Sequence, residues 1–318
     1  MSGALSIRPY QPGDEAKILA LFQEAFGKPM SEAYWRWRFA DNPMRTFLID
    51  LMWDGDVLAG HYAVSPVMLQ VGTREVPTAL SMTTMTHPAY QGRGIFVKLA
   101  RSLYERMAGS GFAMVWGYPN FQSHRGFVRD LAWEDIYEIP NLRLDVGDPR
   151  RLPAPSDSVI PLDGFDHRFD ELWARLRARD ALMTRRDRAY LDWRYIRNPL
   201  HRYAVLGHVT AGRLDGYAVY KQFERALDLV DLVVDGDAGV GADLAAGVAG
   251  RAVVLGLEQV NAWLNLTHPL HPALEKLGFV NAGPVTYFGA RVLSEAVSAA
   301  EARDFRRWYF TMGDSDVF

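Results

Sequence analysis

The run His87-Pro88-Ala89-Tyr90-Gln91-Gly92-Arg93-Gly94-Ile95-Phe96 is the part of this sequence best equipped for chemistry. Glycine lacks a Cβ, so Gly92 and Gly94 reach backbone angles closed to other residues and let a ligand approach the main chain. Ile95, Phe96, Leu99, Leu103 and Met107 repeat at helical spacing, which predicts a helix from Gly92 to Met107. The first N–H groups of such a helix lack intrahelical partners and lie at the positive end of its dipole. A strand, a Gly-x-Gly turn and a helix N-terminus in that order make an anion cradle of a size for pyrophosphate. Arg93 and Lys98 add positive charge. Plain turns before helices also carry Gly-x-Gly, so the loop alone leaves that reading open. Its spacing excludes a dinucleotide fingerprint and a Gly-Lys-Ser/Thr triphosphate loop.

The elements that must position this loop are legible in a repeat. Tyr34-x-x-Trp37-Arg38-Phe39-x-x-Asn42-Pro43 recurs 156 residues later as Tyr190-x-x-Trp193-Arg194-Tyr195-x-x-Asn198-Pro199, and Gly60 then meets Gly216. In both copies an amphipathic helix turns aromatic rings to a core and ends before proline. Strands are predicted over 46–53, 57–71 and 76–87, then the long helix, a strand at 112–116 and another near 133–138. The second half repeats the order, with strands near 203–208, 214–223 and 226–234, a helix over 242–255 and a strand at 260–264. Asn141 to Asp157, with its prolines and aspartates, reads as a linker. These elements predict an α+β protein of two related halves, residues 1–145 and 146–318. The aromatic tail from Trp308 to Asp316 is expected to pack on a core rather than fray.

Composition narrows the functions. Hydrophobic residues make up 49% and charged residues 23%, enough for substantial cores in both halves. The absence of cysteine excludes disulfides, thiolate metal sites and a cysteine acyl-enzyme. His268 and His271 flank Pro269 without an acidic partner at ligand spacing, so no metal is expected. The net charge of −3, spread along the chain, does not suit nucleic acid. No apolar run approaches the ~18 residues of a membrane span, and Met1 to Tyr10 lacks the pattern of a secretion signal, so the cytoplasm is expected.

Thr86-His87-Pro88-x-Tyr90-Gln91-Gly92-Arg93-Gly94-Ile95 resembles the acetyl-CoA loop of the GNAT N-acetyltransferase superfamily, Gln/Arg-x-x-Gly-x-Gly/Ala. The order of elements over residues 5–138 is similar to that fold. The resemblance implies two tandem GNAT-like domains, each a mixed, mostly antiparallel sheet flanked by helices. It implies acetyl-CoA or another acyl-CoA as co-substrate, its pyrophosphate on the amides of Gln91, Gly92, Arg93, Gly94, Ile95 and Phe96. Pantetheine would lie beside Met85 and Thr86, and Asn120 matches the asparagine that often meets it. Two departures stand out. Phe96 replaces the usual Gly or Ala, and Gln122 replaces the tyrosine four residues before Gly126-Phe127. Either Tyr118 or a water is then the acid, or catalysis proceeds without a dedicated one; His61 and His87 are the candidate bases, each with a structural role as its other reading, and Ser81, Thr83 and Thr84 are candidate water-holders. In the second half the equivalent loop, Asp235 to Ala242, lacks the Gln/Arg, and its two aspartates repel a pyrophosphate. Leu274, before Gly278-Phe279, replaces the acid tyrosine there too.

The expected activity is N-acylation of a small-molecule primary amine, by direct attack in a ternary complex. A non-catalytic acyl-CoA sensor is the alternative. An aminoacyl-tRNA-dependent transferase is a third reading, disfavoured by the acidic charge.

Overall fold

A computed structural model describes residues 4–179 and 181–318; Met1 to Gly3, the start of the segment read for a secretion signal, lie outside them. The chain opens with β1 (Ser6–Pro9), α1 (Glu15–Phe26) and α2 (Glu32–Trp35), followed by the meander β2 (Leu48–Asp54), β3 (Val57–Gly72) and β4 (Arg74–Thr86). Next come α3 (Ile95–Gly109), β5 (Met114–Gly117), α4 (Phe121–Leu131), β6 (Glu134–Ile139) and β7 (Asn141–Asp145). The order then recurs as β8 (Val159–Leu162), α5 (His167–Leu176), β9 (Ala181–Thr184), α6 (Arg188–Leu191), β10 (Ala204–Thr210), β11 (Arg213–Phe223) and β12 (Ala226–Val234). It closes with α7 (Ala238–Val254), β13 (Gln259–Trp263), α8 (His271–Leu277), β14 (Val280–Asn281), β15 (Thr286–Val292), α9 (Ala299–Arg303) and β16 (Trp308–Tyr309).

The chain forms two compact units, each built on a mostly antiparallel sheet with helices packed on it. Neither unit is a contiguous half. One comprises residues 1–69, 75–137 and 287–303, the other 70–74, 138–286 and 304–318, which corrects the division at 145. The first unit has the strand order β1-β2-β3-β4-β5-β15-β6 and the second β14-β7-β13-β12-β11-β10-β8. Each of these orders therefore includes one strand from outside its own half of the sequence. In the first, β15 pairs antiparallel with β5, Gly289 opposite Gly117. In the second, β7 pairs antiparallel with β13, Leu142 opposite Ala262. The expected linker at Asn141 to Asp157 is thus a strand at its start, with Leu142 and Leu144 buried.

The repeat is structural as well as sequential. In both copies a four-residue α turn capped by its own side chain, Ser31 or Asp187, continues as a π-helical segment, Arg36–Ala40 or Asp192–Ile196. Trp37, Arg38 and Phe39 are buried in one copy, Trp193, Arg194 and Tyr195 in the other. Gly60 and Gly216 keep the same office: each lets the next long helix settle on its sheet. A Cβ on Gly60 would stand 2.3 Å from Ile95 Cγ2, and one on Gly216 3.1 Å from Val240 Cγ1.

Two hydrophobic cores fix β3 and β4 in the first unit. Tyr62, Ala79, Leu99, Leu103, Tyr104, Phe127 and Trp133 belong to the one containing α3 and α4. Ile18, Leu21, Trp35, Phe39, Ala63 and Met85 belong to the one containing α1 and α2. With β3 buried on both faces, its neighbour β4 is held in place along its length.

Candidate active site

The ladder between parallel strands β4 and β5 consists of Ala79 opposite Val115 and Leu80 opposite Trp116. It ends there, although β4 continues to Thr86. One step on, Gly117 faces Ser81 closely: a Cβ on Gly117 would lie 3.3 Å from Ser81 O. Thr83 adopts a left-handed φ of 46°, which breaks the regular pleat of β4 three residues past Leu80, the last residue paired with β5. The opening between the strands starts here.

Beyond the C-terminal end of β4 the loop is braced by its side chains. His87 Nδ1 accepts from the Ala89 amide at 3.1 Å, and His87 Nε2 lies 3.0 Å from Glu24 Oε2. Tyr90 donates to Asp54 Oδ2 at 2.8 Å, and the Arg93 guanidinium lies 4.9 Å from the centre of the Tyr90 ring. His87 is therefore a capping residue here, which accounts for its position before Pro88. Gly92 and Gly94 have φ values of 76° and 70°, and a Cβ on either would meet nothing within 4 Å. These glycines are required by backbone angle, while the space above them is open to a ligand. Gly94 is the N-cap of α3, provides no side-chain cap, and no acidic residue follows in the first turn. Gln91, Gly92, Arg93 and Gly94 are all exposed. The arrangement fits a pyrophosphate: uncapped amides, a positive dipole end and room for oxygen atoms.

Phe96 departs from the expected Gly or Ala without filling this space. Its ring turns into the unit, with centroids 5.8 Å from Tyr62 and 5.0 Å from Phe127. Gly126 makes the room, since a Cβ there would lie 3.2 Å from Phe96 Cε1. Ile95 and Met85 are buried and Thr86 half-buried, so β4 offers the Thr86 backbone more readily than the Met85 side chain.

Three expected residues take different parts. His61, expected as a base, is fully buried. Its Nδ1 lies 2.8 Å from Thr83 O, and burial lowers its pKa to about 4. The ring is neutral at pH 7, and a carbonyl only accepts, so Nδ1 carries the proton. A sealed imidazole cannot meet an amine arriving from solvent; it supports the kink of β4 at Thr83 instead. Asn120, expected beside pantetheine, spends its Oδ1 as the N-cap of α4, accepting from the amides of Gln122 and Ser123 at 3.0 Å. Tyr118 stays at the opening: it follows β5 directly, half-buried, its ring 5.4 Å from Phe288.

Sequence reasoning missed two groupings. Ser81, Tyr62, Tyr104 and Trp133 form a chain of hydrogen bonds through the core, from β4, β3, α3 and the turn before β6, with no common spacing. His124 Nε2 lies 2.7 Å from Asp135 Oδ1, and its ring stacks on Tyr287 at 4.2 Å. Among the described residues no group of three or more His, Asp or Glu is placed to hold a metal.

Comparison with known proteins agrees with this geometry. Residues 6–136 match the acetyltransferase (GNAT) domain family. A GCN5-related N-acetyltransferase from Anabaena variabilis superposes with a TM-score of 0.72 at 14% identity, over 91% of this chain and 73% of its own. One from Kribbella flavida gives 0.69 at 19% identity, over 92% and 71%. A conserved protein of unknown function from Enterococcus faecalis gives 0.69 at 13% identity, over 92% and 73%. At these identities the structures establish a shared fold. No curated protein sequence matches the chain.

Proposed function

With residues 6–136 forming a GNAT acetyltransferase domain, we propose that the protein is an acyl-CoA-dependent N-acyltransferase that acetylates a primary amine of a small molecule. The observation that carries this reading is the uncapped N-terminus of α3, reached from an open-ended β4 through Gly92 and Gly94. Backbone amides from Gln91 to Phe96 would hold the pyrophosphate of acetyl-CoA, with Arg93 adding charge. Acetyl-CoA supplies an activated acyl carbon. The chain's own residues do the rest. The edge of β4 past Leu80 orients the pantetheine arm, and Gly117 leaves the apex of the opening narrow. Tyr118, beside that apex, would give a proton to the departing thiolate. With no cysteine to carry the acyl group, the amine attacks directly while both substrates are bound. His61 serves as a positioning residue, and the amine's proton leaves to solvent.

The test is thiol release from acetyl-CoA against a panel of amino sugars, amino acids and polyamines. Amine-dependent release that Tyr118→Phe slows would support the reading. A protein that binds acetyl-CoA but releases no thiol with any amine would instead be a sensor. Gln122, where an acid tyrosine is usual, is the observation favouring that second reading.

A further inference from the structure

Two consecutive residues of β3 grip β4 from opposite faces, where it leaves β5. His61 holds Thr83 O at 2.8 Å, and the Tyr62 hydroxyl lies 2.8 Å from Ser81 Oγ. Behind Tyr62 the chain runs deeper: its hydroxyl is 2.7 Å from that of Tyr104, to which Trp133 Nε1 donates at 3.0 Å. Trp133 decides the direction of every bond in this chain. An indole N–H can only donate, so Tyr104 must accept from it. Tyr104 and Tyr62 each have one proton to place. If Tyr104 donates to Tyr62, then Tyr62 donates to Ser81, and all the buried protons have acceptors. If the bonds ran the other way, the Tyr104 proton would be left in the core with no acceptor among the described residues. Native interiors avoid that arrangement.

The direction therefore runs from Trp133 through Tyr104 and Tyr62 to Ser81, and Ser81 keeps its own proton free. Ser81 makes no other hydrogen bond among the described residues, is half-buried, and faces Gly117 at the apex of the opening. We infer that the Ser81 hydroxyl is a hydrogen-bond donor to the acyl carbonyl oxygen of the bound thioester, with Tyr62 and Tyr104 as the positioning residues that aim it. The inference rests on the acyl-CoA reading above. Burial raises the pKa of both phenols, so they stay protonated and the chain orients a hydrogen bond without relaying a proton. A donor fixed before the substrate arrives needs no reorganisation as charge develops on the oxygen.

Isotope-edited infrared spectroscopy of acetyl-CoA labelled with carbon-13 at the carbonyl tests this directly. The carbonyl band of the bound thioester should fall below its solution frequency in the wild-type protein. Ser81→Ala should return it toward the solution value, and Ser81→Thr should keep it low. Thiol release by Ser81→Ala should fall about 100-fold, the effect typical of losing one oxyanion donor, with KM for acetyl-CoA unchanged. Tyr62→Phe, which leaves Ser81 unaimed, should broaden the band. If Ser81→Ala binds acetyl-CoA and the band stays low, Ser81 is not the donor and the inference is wrong. If calorimetry finds no acetyl-CoA bound to the wild-type protein, the acyltransferase reading fails and takes this inference with it.

Discussion

The two long helices, α3 and α7, follow equivalent strands in the repeat, and their N-termini have opposite fates. At α3 the chain leaves the amides uncapped, exposed and approached through two left-handed glycines. At α7 it closes them itself. Asp237 caps the helix by accepting from the Gly239 amide at 2.8 Å. Asp235 is clamped by Arg175 at 2.5 Å and by Arg179, and the Arg179 guanidinium stands 2.8 Å from where a Cβ of Gly236 would be. The same contrast holds further along the strand. Past its ladder with β13, β12 meets the chain's own tail: Thr311 donates to Asp231 at 3.0 Å, and a Cβ on Gly313 would lie 3.3 Å from Val230 O. Asn265, just after β13, donates to Phe305 O at 2.6 Å. A helix end that carries its own carboxylate has no need of an anion, and an opening filled by its own chain has no room for pantetheine. On the proposed reading, one fold would then carry a site in one unit and close the same place with its own chain in the other.

The largest effect is expected where the tail seals the second unit. Arg186 is buried between Asp231 at 3.1 Å and Asp314 at 2.8 Å, and Asp231 also accepts from Tyr195 and Tyr217. Arg186→Ala leaves two buried carboxylates uncompensated, at a cost of about 3–5 kcal/mol. Urea denaturation measures it. A variant as stable as wild type would mean that the tail is only loosely docked.

The open unit should show its own signature in acid. The folded His61 pKa of about 4 lies below the unfolded value of about 6.5. The unfolded chain therefore takes up a proton that the folded chain refuses. Stability is unaffected above pH 6.5 and falls as the pH drops toward 4, by about 3 kcal/mol for this residue. His268 shifts the same way through burial, so the useful quantity is the difference between wild type and His61→Gln. Equal pH profiles for the two would place the imidazole in contact with water.

The smallest effect sharpens the comparison most. Asp237→Ala removes the cap of α7, which should cost about 1 kcal/mol and leave acetyl-CoA binding unchanged. A second binding site appearing in that variant would show that one aspartate alone keeps the second unit closed.

Much of this was legible in the sequence. The Tyr-Trp-Arg repeat announced two related halves, because aromatic positions and an Asn-Pro stop constrain packing and chain direction together. The packed tail was legible from its aromatic density, and Trp308 and Phe310 are indeed buried. The π-helical turn was not, since a π segment and an α-helix present similar faces over five residues. The strand Asn141–Asp145 is hidden by the prolines and aspartates of the stretch to Asp157, which read as a linker although Leu142 and Leu144 alternate. The traded strands β7 and β15 were out of reach for a different reason: pairing across so long a separation leaves no local pattern. His61 was legible in its structural role. It stands in a strand apolar on both faces, where a histidine belongs to the core. The chain from Trp133 to Ser81 exists only in three dimensions.

The central claim is that α3, and not α7, holds the cofactor. Thermal unfolding with acetyl-CoA at a hundredfold excess over Kd, on wild type and Gly94→Glu, tests it most directly. The account predicts a gain of about 2.7 kcal/mol for wild type and none for the variant, whose carboxylate would stand in the cradle. An equal gain in both proteins would contradict it.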